Sequence, residues 1–142
     1  MRGHSIGTIS LYLAQKADHV TGIESVYQAV QDAKENAVNN GVNNCTFVAA
    51  KAEEWLPKWV KKGNKIDVAI IDPPRKGCEP PALDALIASE AERIVYVSCN
   101  PSTLARDAQY LCQYGYEVKK IQPVDLFCQS WHIETVCLLE KK

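Results

Sequence analysis

The sequence predicts a single α/β domain in which strands and helices alternate along the chain. Two apolar, β-branched runs end abruptly at polar, proline-containing loops, and each of these loops is followed by a segment with helical periodicity. At 142 residues, with 46% hydrophobic and 23% charged residues, the chain can bury a core and has ordinary globular composition. These observations favour a sheet flanked by helices.

The predicted elements follow from this pattern in order. Helices are expected at residues 6–17, 26–40, 52–62, 80–91 and 102–114. Strands are expected at residues 19–24, 45–50, 66–71, 93–98, 116–121 and 133–140, with a loop at 122–132. The last two strands have no helix between them, which predicts a mostly parallel sheet with a C-terminal antiparallel hairpin. Pro57 fits the third helix only if it lies in the first turn.

Charge and cysteine usage restrict the class of protein. The net charge of -1 provides no global basic field, so a nucleic-acid partner would need a local patch. No apolar run approaches the roughly 20 residues that span a bilayer, so no membrane partner is expected. The six cysteines are scattered without paired or zinc-type spacing, which favours reduced thiols in a cytoplasmic protein and no metal site.

Cys99 follows the strand predicted at residues 93–98, directly before Asn100 and Pro101. The Ser102-Thr103 pair offers a cap for the next helix. Ligands of parallel sheets bind outside the carboxyl ends of the strands, so this thiol lies where chemistry is expected. Position alone gives equal weight to a small buried structural cysteine.

A second strand end presents a carboxylate. The apolar run at residues 66–71 is closed by Asp72, two prolines, Arg75, Lys76 and Gly77. This strand, the helix after it and the Cys99 strand form one βαβ unit, which brings both polar loops to the same sheet edge.

Three motifs now define a resemblance. They are Asp-Pro-Pro-Arg-Lys-Gly at residues 72–77, Val-Ser-Cys-Asn-Pro at 97–101 and His-Ile-Glu-Thr-Val at 132–136. In this order and separation they resemble the catalytic domain of the S-adenosylmethionine-dependent RNA uracil-C5 methyltransferases, over residue 7 to the end. The resemblance implies a Rossmann-like methyltransferase fold and an RNA partner. The similarity is greatest to bacterial enzymes that form 5-methyluridine in large-subunit ribosomal RNA, with transfer RNA as the nearer alternative.

The resemblance implies roles for two residues. Cys99 corresponds to the nucleophile that adds to carbon 6 of uracil, which activates carbon 5 for methylation. Glu134 corresponds to the base that removes the carbon 5 proton afterwards. Without the motif, Glu134 would be interpreted as a solvated residue at a strand start.

Further residues are assigned to cofactor and RNA by the same resemblance. Asp72 lies at the junction of cofactor and target base, and Arg75 contacts the RNA backbone or stabilises the loop. Glu24 accepts hydrogen bonds from the cofactor ribose, with helix capping or a surface role as the competing interpretation. Gly7 corresponds to the last glycine of the cofactor loop.

The front of the chain departs from the family pattern. Residues 1–5 resemble a vector leader, and residues 6–142 are interpreted as a C-terminal catalytic fragment. The first strand is expected to be missing, which would leave a gap between the strands that end at Glu24 and Asp72. We therefore expect weak or no S-adenosylmethionine binding, little turnover alone, and a changed strand order or self-association by domain swapping.

Two other functions remain open. In a non-catalytic α/β binding domain Cys99 would be a buried thiol, and alkylation would not single it out among the six cysteines. Methylation of another target through Asp-Pro-Pro is disfavoured, because such enzymes do not need the other two motifs.

Overall fold

The computed structural model describes residues 9–124 and 134–142, and the chain divides into two compact units, Met1–Trp55 and Leu56–Lys142. The helices are α1 (residues 9–14), α2 (Tyr27–Asn39), α3 (Ala52–Lys61), α4 (Pro80–Ala88) and α5 (Pro101–Gln113). The strands are β1 (Val20–Glu24), β2 (Cys45–Ala49), β3 (Val68–Ile71), β4 (Arg93–Ser98), β5 (Tyr116–Val124) and β6 (Glu134–Lys141). No helix within these described ranges is long and apolar enough to cross a membrane.

The first unit is built on a parallel pair of strands. β1 and β2 pair in register from Val20 opposite Cys45 to Glu24 opposite Ala49. Val30, Ala33 and Ala37 recur at helical spacing on α2 and are buried together with Phe47 of β2. Through this apolar stripe α2 packs onto the pair, and Leu11 of α1 packs against the same cluster.

The second unit contains a four-stranded sheet in the order β3-β4-β6-β5. β3 and β4 are parallel, whereas β6 is antiparallel to both β4 and β5. The predicted α/β class and the C-terminal antiparallel hairpin are therefore confirmed. β1 and β3, the strands that end at Glu24 and before Asp72, belong to different sheets.

The two faces of this sheet differ in burial. Ile94, Tyr96, Cys137 and Leu139 alternate along β4 and β6 and are fully buried. α5 packs against β4 and β5, and α4 packs against α5. Between these positions, side chains of the opposite face such as Val97 are only half-buried.

Several predicted boundaries were wrong. Pro57 lies well inside α3 rather than in its first turn, and Leu56 beside it is buried. The amphipathic face of α3 therefore outweighs the backbone hydrogen bond that the proline removes. β5 continues to Val124, through part of the predicted loop, because Pro123 lies on an edge strand where a missing donor is tolerated.

Candidate active site

The carboxyl ends of β3 and β4 lie side by side. The parallel register ends with Ile71 opposite Tyr96. Asp72 directly follows Ile71 at the end of β3, and Cys99 directly follows Ser98 at the end of β4. The predicted meeting of the Asp72 and Cys99 strand ends at one edge is confirmed by this pairing.

Glu134 reaches the same edge from the antiparallel partner of β4. The last paired residues of β4 and β6 are Ser98 and Thr135. Cys99 directly follows β4, and Glu134 is the first residue of β6, so both lie just beyond this last pair. The thiol and the carboxylate therefore belong to the same end of the β4–β6 strand pair.

A tight turn follows β4 and holds Cys99 at its centre. The hydroxyl of Ser98 donates to the Asn100 carbonyl at 2.8 Å and accepts from the Asn100 amide at 3.0 Å. The side-chain oxygen of Asn100 accepts from the Ser102 amide at 3.0 Å, and Pro101 occupies the first helical position. Asn100 is therefore the N-cap of α5, and the predicted cap at Ser102-Thr103 was wrong.

The loop that carries Asp72 and Arg75 is tied to this turn. The carbonyl oxygen of Arg75 accepts from the side-chain amide of Asn100 at 3.1 Å and from the Thr103 hydroxyl at 3.0 Å. The side chains of Asp72 and Arg75 are exposed. The backbone of this loop is anchored while the predicted functional groups remain accessible.

Glu24 ends β1 in the first unit and is half-buried. Its Oε1 accepts from the Val26 amide at 3.0 Å and from the Ser25 hydroxyl at 3.4 Å. Val26 is the N-cap of α2, so this carboxylate satisfies a donor at the helix start. The capping role that competed with ribose binding is present.

Some predicted residues fall elsewhere. Gly7, His132 and Ile133 lie outside the described residues. Asp72, Arg75, Cys99 and Glu134 all belong to the second unit, whereas Glu24 belongs to the first.

The described cysteines differ in environment rather than in pairing. Among the described residues no disulfide joins Cys45, Cys78, Cys99, Cys112 and Cys137, and Cys99 is one of four that are half-buried. Burial and then the charge of Asp107 raise the pKa of the Cys78 thiol to about 12, so this thiol is protonated at neutral pH. Exposure alone therefore does not single out Cys99; its position in the turn does.

Sequence reasoning missed the residues that connect the two loops. Asn100 and Thr103 were regarded as parts of a motif and a cap, and Asp107 was not considered. A signal existed for Asp107, because it lies three residues after Leu104, one before Ala108 and four before Leu111, which places it on the apolar face of α5. A charged residue on a buried helical face requires partners.

A family model described as tRNA (Uracil-5-)-methyltransferase matches residues 4–142. The chain belongs to this family. The predicted resemblance and the methyltransferase class are thus confirmed.

Bacterial relatives agree with this membership. An uncharacterized RNA methyltransferase of Listeria innocua is 53% identical over 137 residues, which are 96% of this chain and 30% of that protein. A second, from Enterococcus faecalis, is 56% identical over 136 residues with the same coverages. The chain spans about 30% of the length of these curated relatives.

Solved structures support the fold. The tRNA (uracil-54, C5)-methyltransferase of Pyrococcus abyssi, in complex with S-adenosyl-L-homocysteine, superimposes with a TM-score of 0.79 at 33% identity over 96% of this chain and 32% of that chain. TrmN from Thermus thermophilus superimposes with a TM-score of 0.75 at 21% identity, over 98% of this chain and 42% of that chain. The Rossmann-like methyltransferase fold is confirmed.

Proposed function

We propose that residues 6–142 form the catalytic domain of an RNA uracil-C5 methyltransferase that uses S-adenosylmethionine and forms 5-methyluridine. The observation that supports this proposal is the β4–β6 register, which ends with Ser98 opposite Thr135 and so brings Cys99 and Glu134 to the same end of the strand pair. A nucleophile and a base at one end of a strand pair fit a reaction that needs both on one pyrimidine ring. Family membership supplies the independent support.

The proposed chemistry divides between these two residues. The Cys99 thiolate forms a bond to carbon 6 of uracil, and the electron pair of the double bond makes carbon 5 nucleophilic. Bound S-adenosylmethionine supplies the methyl group to carbon 5. Glu134 then takes the proton from carbon 5, the double bond reforms, and the thiolate of Cys99 leaves. The target uracil must first be flipped out of any stacked RNA.

Of the residues proposed to bind the cofactor, Glu24 suits the chemistry of its ribose. Ribose hydroxyls are donors, and the Glu24 carboxylate at the end of β1 already accepts from an amide and a hydroxyl. We assign Asp72 to the junction of cofactor and base and Gly7 to the cofactor loop.

The RNA substrate is proposed to be large-subunit ribosomal RNA, with Arg75 contacting its backbone. The exposed guanidinium of Arg75 lies in a loop whose backbone is anchored, which suits a phosphate contact. Transfer RNA is the second candidate, because the Pyrococcus abyssi relative is named for a tRNA uracil. Free thiols in the described residues fit work in the reducing cytoplasm.

The test is covalent capture on RNA that contains 5-fluorouridine, in the presence of S-adenosylmethionine. After Cys99 adds and carbon 5 is methylated, fluorine occupies the place of the proton, so Glu134 cannot complete the reaction. We expect a protein–RNA adduct that mass spectrometry maps to Cys99. Because the assay needs one turnover only, it also reports from a slow enzyme. Ribosomal and transfer RNA are compared as separate substrates.

Two variants make this test specific. Cys99→Ala should abolish the adduct, whereas Cys112→Ala, at another half-buried cysteine, should leave it unchanged. Glu134→Gln should accumulate an adduct even on ordinary uridine RNA, and Glu140→Gln on the same strand should not. An adduct at another cysteine would refute the assignment of Cys99 as the nucleophile. No adduct with either RNA at saturating S-adenosylmethionine would refute the proposal in favour of a non-catalytic α/β binding domain.

A further inference from the structure

The helix that begins after Cys99 carries a buried carboxylate. Asp107 is on α5 and only 2% exposed. A charge removed from water to this degree is destabilising unless several donors compensate it. The partners of Asp107 therefore show which parts of the structure depend on it.

The donors to Asp107 come from three separate segments. Its Oδ2 accepts from the backbone amide of Cys78 at 2.8 Å and from the Tyr96 hydroxyl at 2.6 Å. Its Oδ1 accepts from Nε and Nη2 of Arg106, each at 3.0 Å. The Asp107 side chain thus joins α5, β4 and the loop of residues 72–78 that follows β3, the 72–78 loop.

A glycine allows the loop to approach so closely. Gly77 has φ +85°, a left-handed conformation that favours glycine. A Cβ built there would lie 2.3 Å from Nη2 of Arg106 and 2.8 Å from Oδ2 of Asp107. The backbone of the loop therefore rests directly on the Asp107–Arg106 pair.

Other side chains of α5 and its N-cap satisfy the rest of this loop backbone. Arg106 donates to the Lys76 carbonyl at 2.9 Å, while Asn100 and Thr103 donate to the Arg75 carbonyl. Successive backbone groups at residues 75, 76 and 78 are bonded to the helix that begins directly after Cys99. Of these three backbone groups, the amide of Cys78 is the one that donates to the buried Asp107 carboxylate.

We propose that Asp107 is a positioning residue, whose carboxylate fixes the 72–78 loop against the strand end that carries Cys99. The inference rests on the proposed function and extends it. Without Asp107 the loop would lose the acceptor at its far end, and Asp72 and Arg75 would sample positions away from the Cys99 edge. Because reaction rates fall steeply with small misplacements, loosening the loop lowers the rate of the chemical step more than it weakens RNA binding.

The test compares the wild-type chain with Asp107→Asn. The asparagine side chain keeps the shape of the carboxylate but replaces one of its two acceptor oxygens with an NH₂ group. That group would face either the Arg106 donors or the donors of Cys78 and Tyr96. Hydrogen exchange of the Cys78 amide should accelerate about tenfold or more, while the β4–β6 ladder stays protected. Alkylation of the Cys78 thiol should accelerate in parallel.

The kinetic arm measures adduct formation at Cys99 with 5-fluorouridine RNA, per folded molecule. In Asp107→Asn the maximal rate should fall about tenfold or more, with the half-saturating RNA concentration changed by less than about threefold. A purely structural role would lower the folded fraction and leave this rate per folded molecule unchanged.

Two further variants control the experiment. Asp84→Asn removes an exposed carboxylate that also accepts from a tyrosine hydroxyl, that of Tyr110, and it should change neither readout. Gly77→Ala leaves Asp107 intact but adds a Cβ that would clash with Arg106 and Asp107, so it should displace the 72–78 loop. It should therefore reproduce both the faster exchange of the Cys78 amide and the lower maximal rate of adduct formation. This second variant keeps the proposal testable if Asp107→Asn folds poorly.

The outcomes separate the two proposals. Unchanged exchange at the Cys78 amide in both Asp107→Asn and Gly77→Ala would overturn the positioning role, and so would a loosened loop with an unchanged maximal rate. A wild-type chain that forms no adduct would overturn the proposed function and any catalytic consequence of Asp107. The exchange experiment needs no RNA, so it would still decide whether Asp107 holds the loop.

Discussion

Two strand-to-helix turns carry proposed site residues, and they are built differently. The turn after β1 presents Glu24, whose carboxylate accepts hydrogen bonds from the next two residues, and α2 starts there without a side-chain cap from its N-cap residue. The turn after β4 presents Cys99, has a side-chain cap from Asn100, and is bonded to the 72–78 loop.

The contacts of the second turn and its helix are long-range in sequence. Donors and acceptors that join α5 and its cap to the 72–78 loop are between 25 and 30 residues apart. Such contacts fix side chains only once the tertiary structure has formed, whereas the hydrogen bonds to the Glu24 carboxylate are local. We infer that Cys99, the proposed nucleophile, is held in place before RNA binds, while Glu24, the proposed ribose acceptor, can exchange its partners for a ligand.

The largest expected effect on stability comes from Asn100→Ala. This change removes the N-cap of α5 and one of the two side-chain donors to the Arg75 carbonyl. We expect the free energy of unfolding to fall by about 2 kcal/mol, the sum of a lost cap and a lost hydrogen bond. Urea denaturation followed by circular dichroism measures this change.

Ser25→Ala is the matched change in the other turn. The Ser25 hydroxyl makes one long hydrogen bond, at 3.4 Å, to its neighbour Glu24. The free energy of unfolding should change by less than about 0.5 kcal/mol. If the two variants are equally destabilised, the contrast between the turns is refuted.

Strand ends and motif residues of the site could be predicted, because each leaves a local mark in the sequence. Apolar runs end at Asp72 and before Cys99, and the β-hairpin pattern brings Glu134 back beside them. The register itself could not be derived from local patterns. It depends on which strand pairs with β4, and β6 takes that place although β5 precedes it in sequence.

Contacts across the sheet edge also escaped prediction. Ser102 and Thr103 are good capping residues by type, but Asn100 takes the cap because Pro101 is suited to the first helical position. Asp107 was missed because its partners, Cys78 and Tyr96, lie 29 and 11 residues away. Local propensity contains no information about such pairs.

The free energy of unfolding should also depend on alkaline pH, because of Cys78 in the 72–78 loop. The pKa of Cys78, raised to about 12 in the folded chain, is near 9 when the thiol is unburied. Above pH 9 the unfolded chain releases this proton and the folded chain retains it, so stability falls as pH rises from about 9 to about 12. By pH 10 the fall due to Cys78 should be between about 1 and 2 kcal/mol.

Cys78→Ser isolates this contribution. The serine hydroxyl does not titrate in this range, so the alkaline fall in the free energy of unfolding should be shallower. Tyr96, whose pKa is also raised by burial and by its bond to Asp107, leaves part of the slope in place. Below pH 8 the difference in stability between variant and wild type should be constant. Parallel curves from pH 7 to 11 would contradict the assignment.

The smallest effect on stability is expected from Glu24→Gln. The amide oxygen can still accept from the Val26 amide, so the free energy of unfolding should change by less than about 0.5 kcal/mol. The ligand response should differ, because a carboxylate accepts from two ribose hydroxyls and an amide offers one oxygen. Millimolar S-adenosylhomocysteine should raise the unfolding temperature of the wild type and of Ser25→Ala, since even weak binding stabilises the folded state. The same concentration of S-adenosylhomocysteine should raise the unfolding temperature of Glu24→Gln by a smaller amount. An equal shift in Glu24→Gln, or none in the wild type, would leave the Glu24 carboxylate with its capping role alone, and the contrast between an adaptable turn and a fixed one would lose its functional meaning.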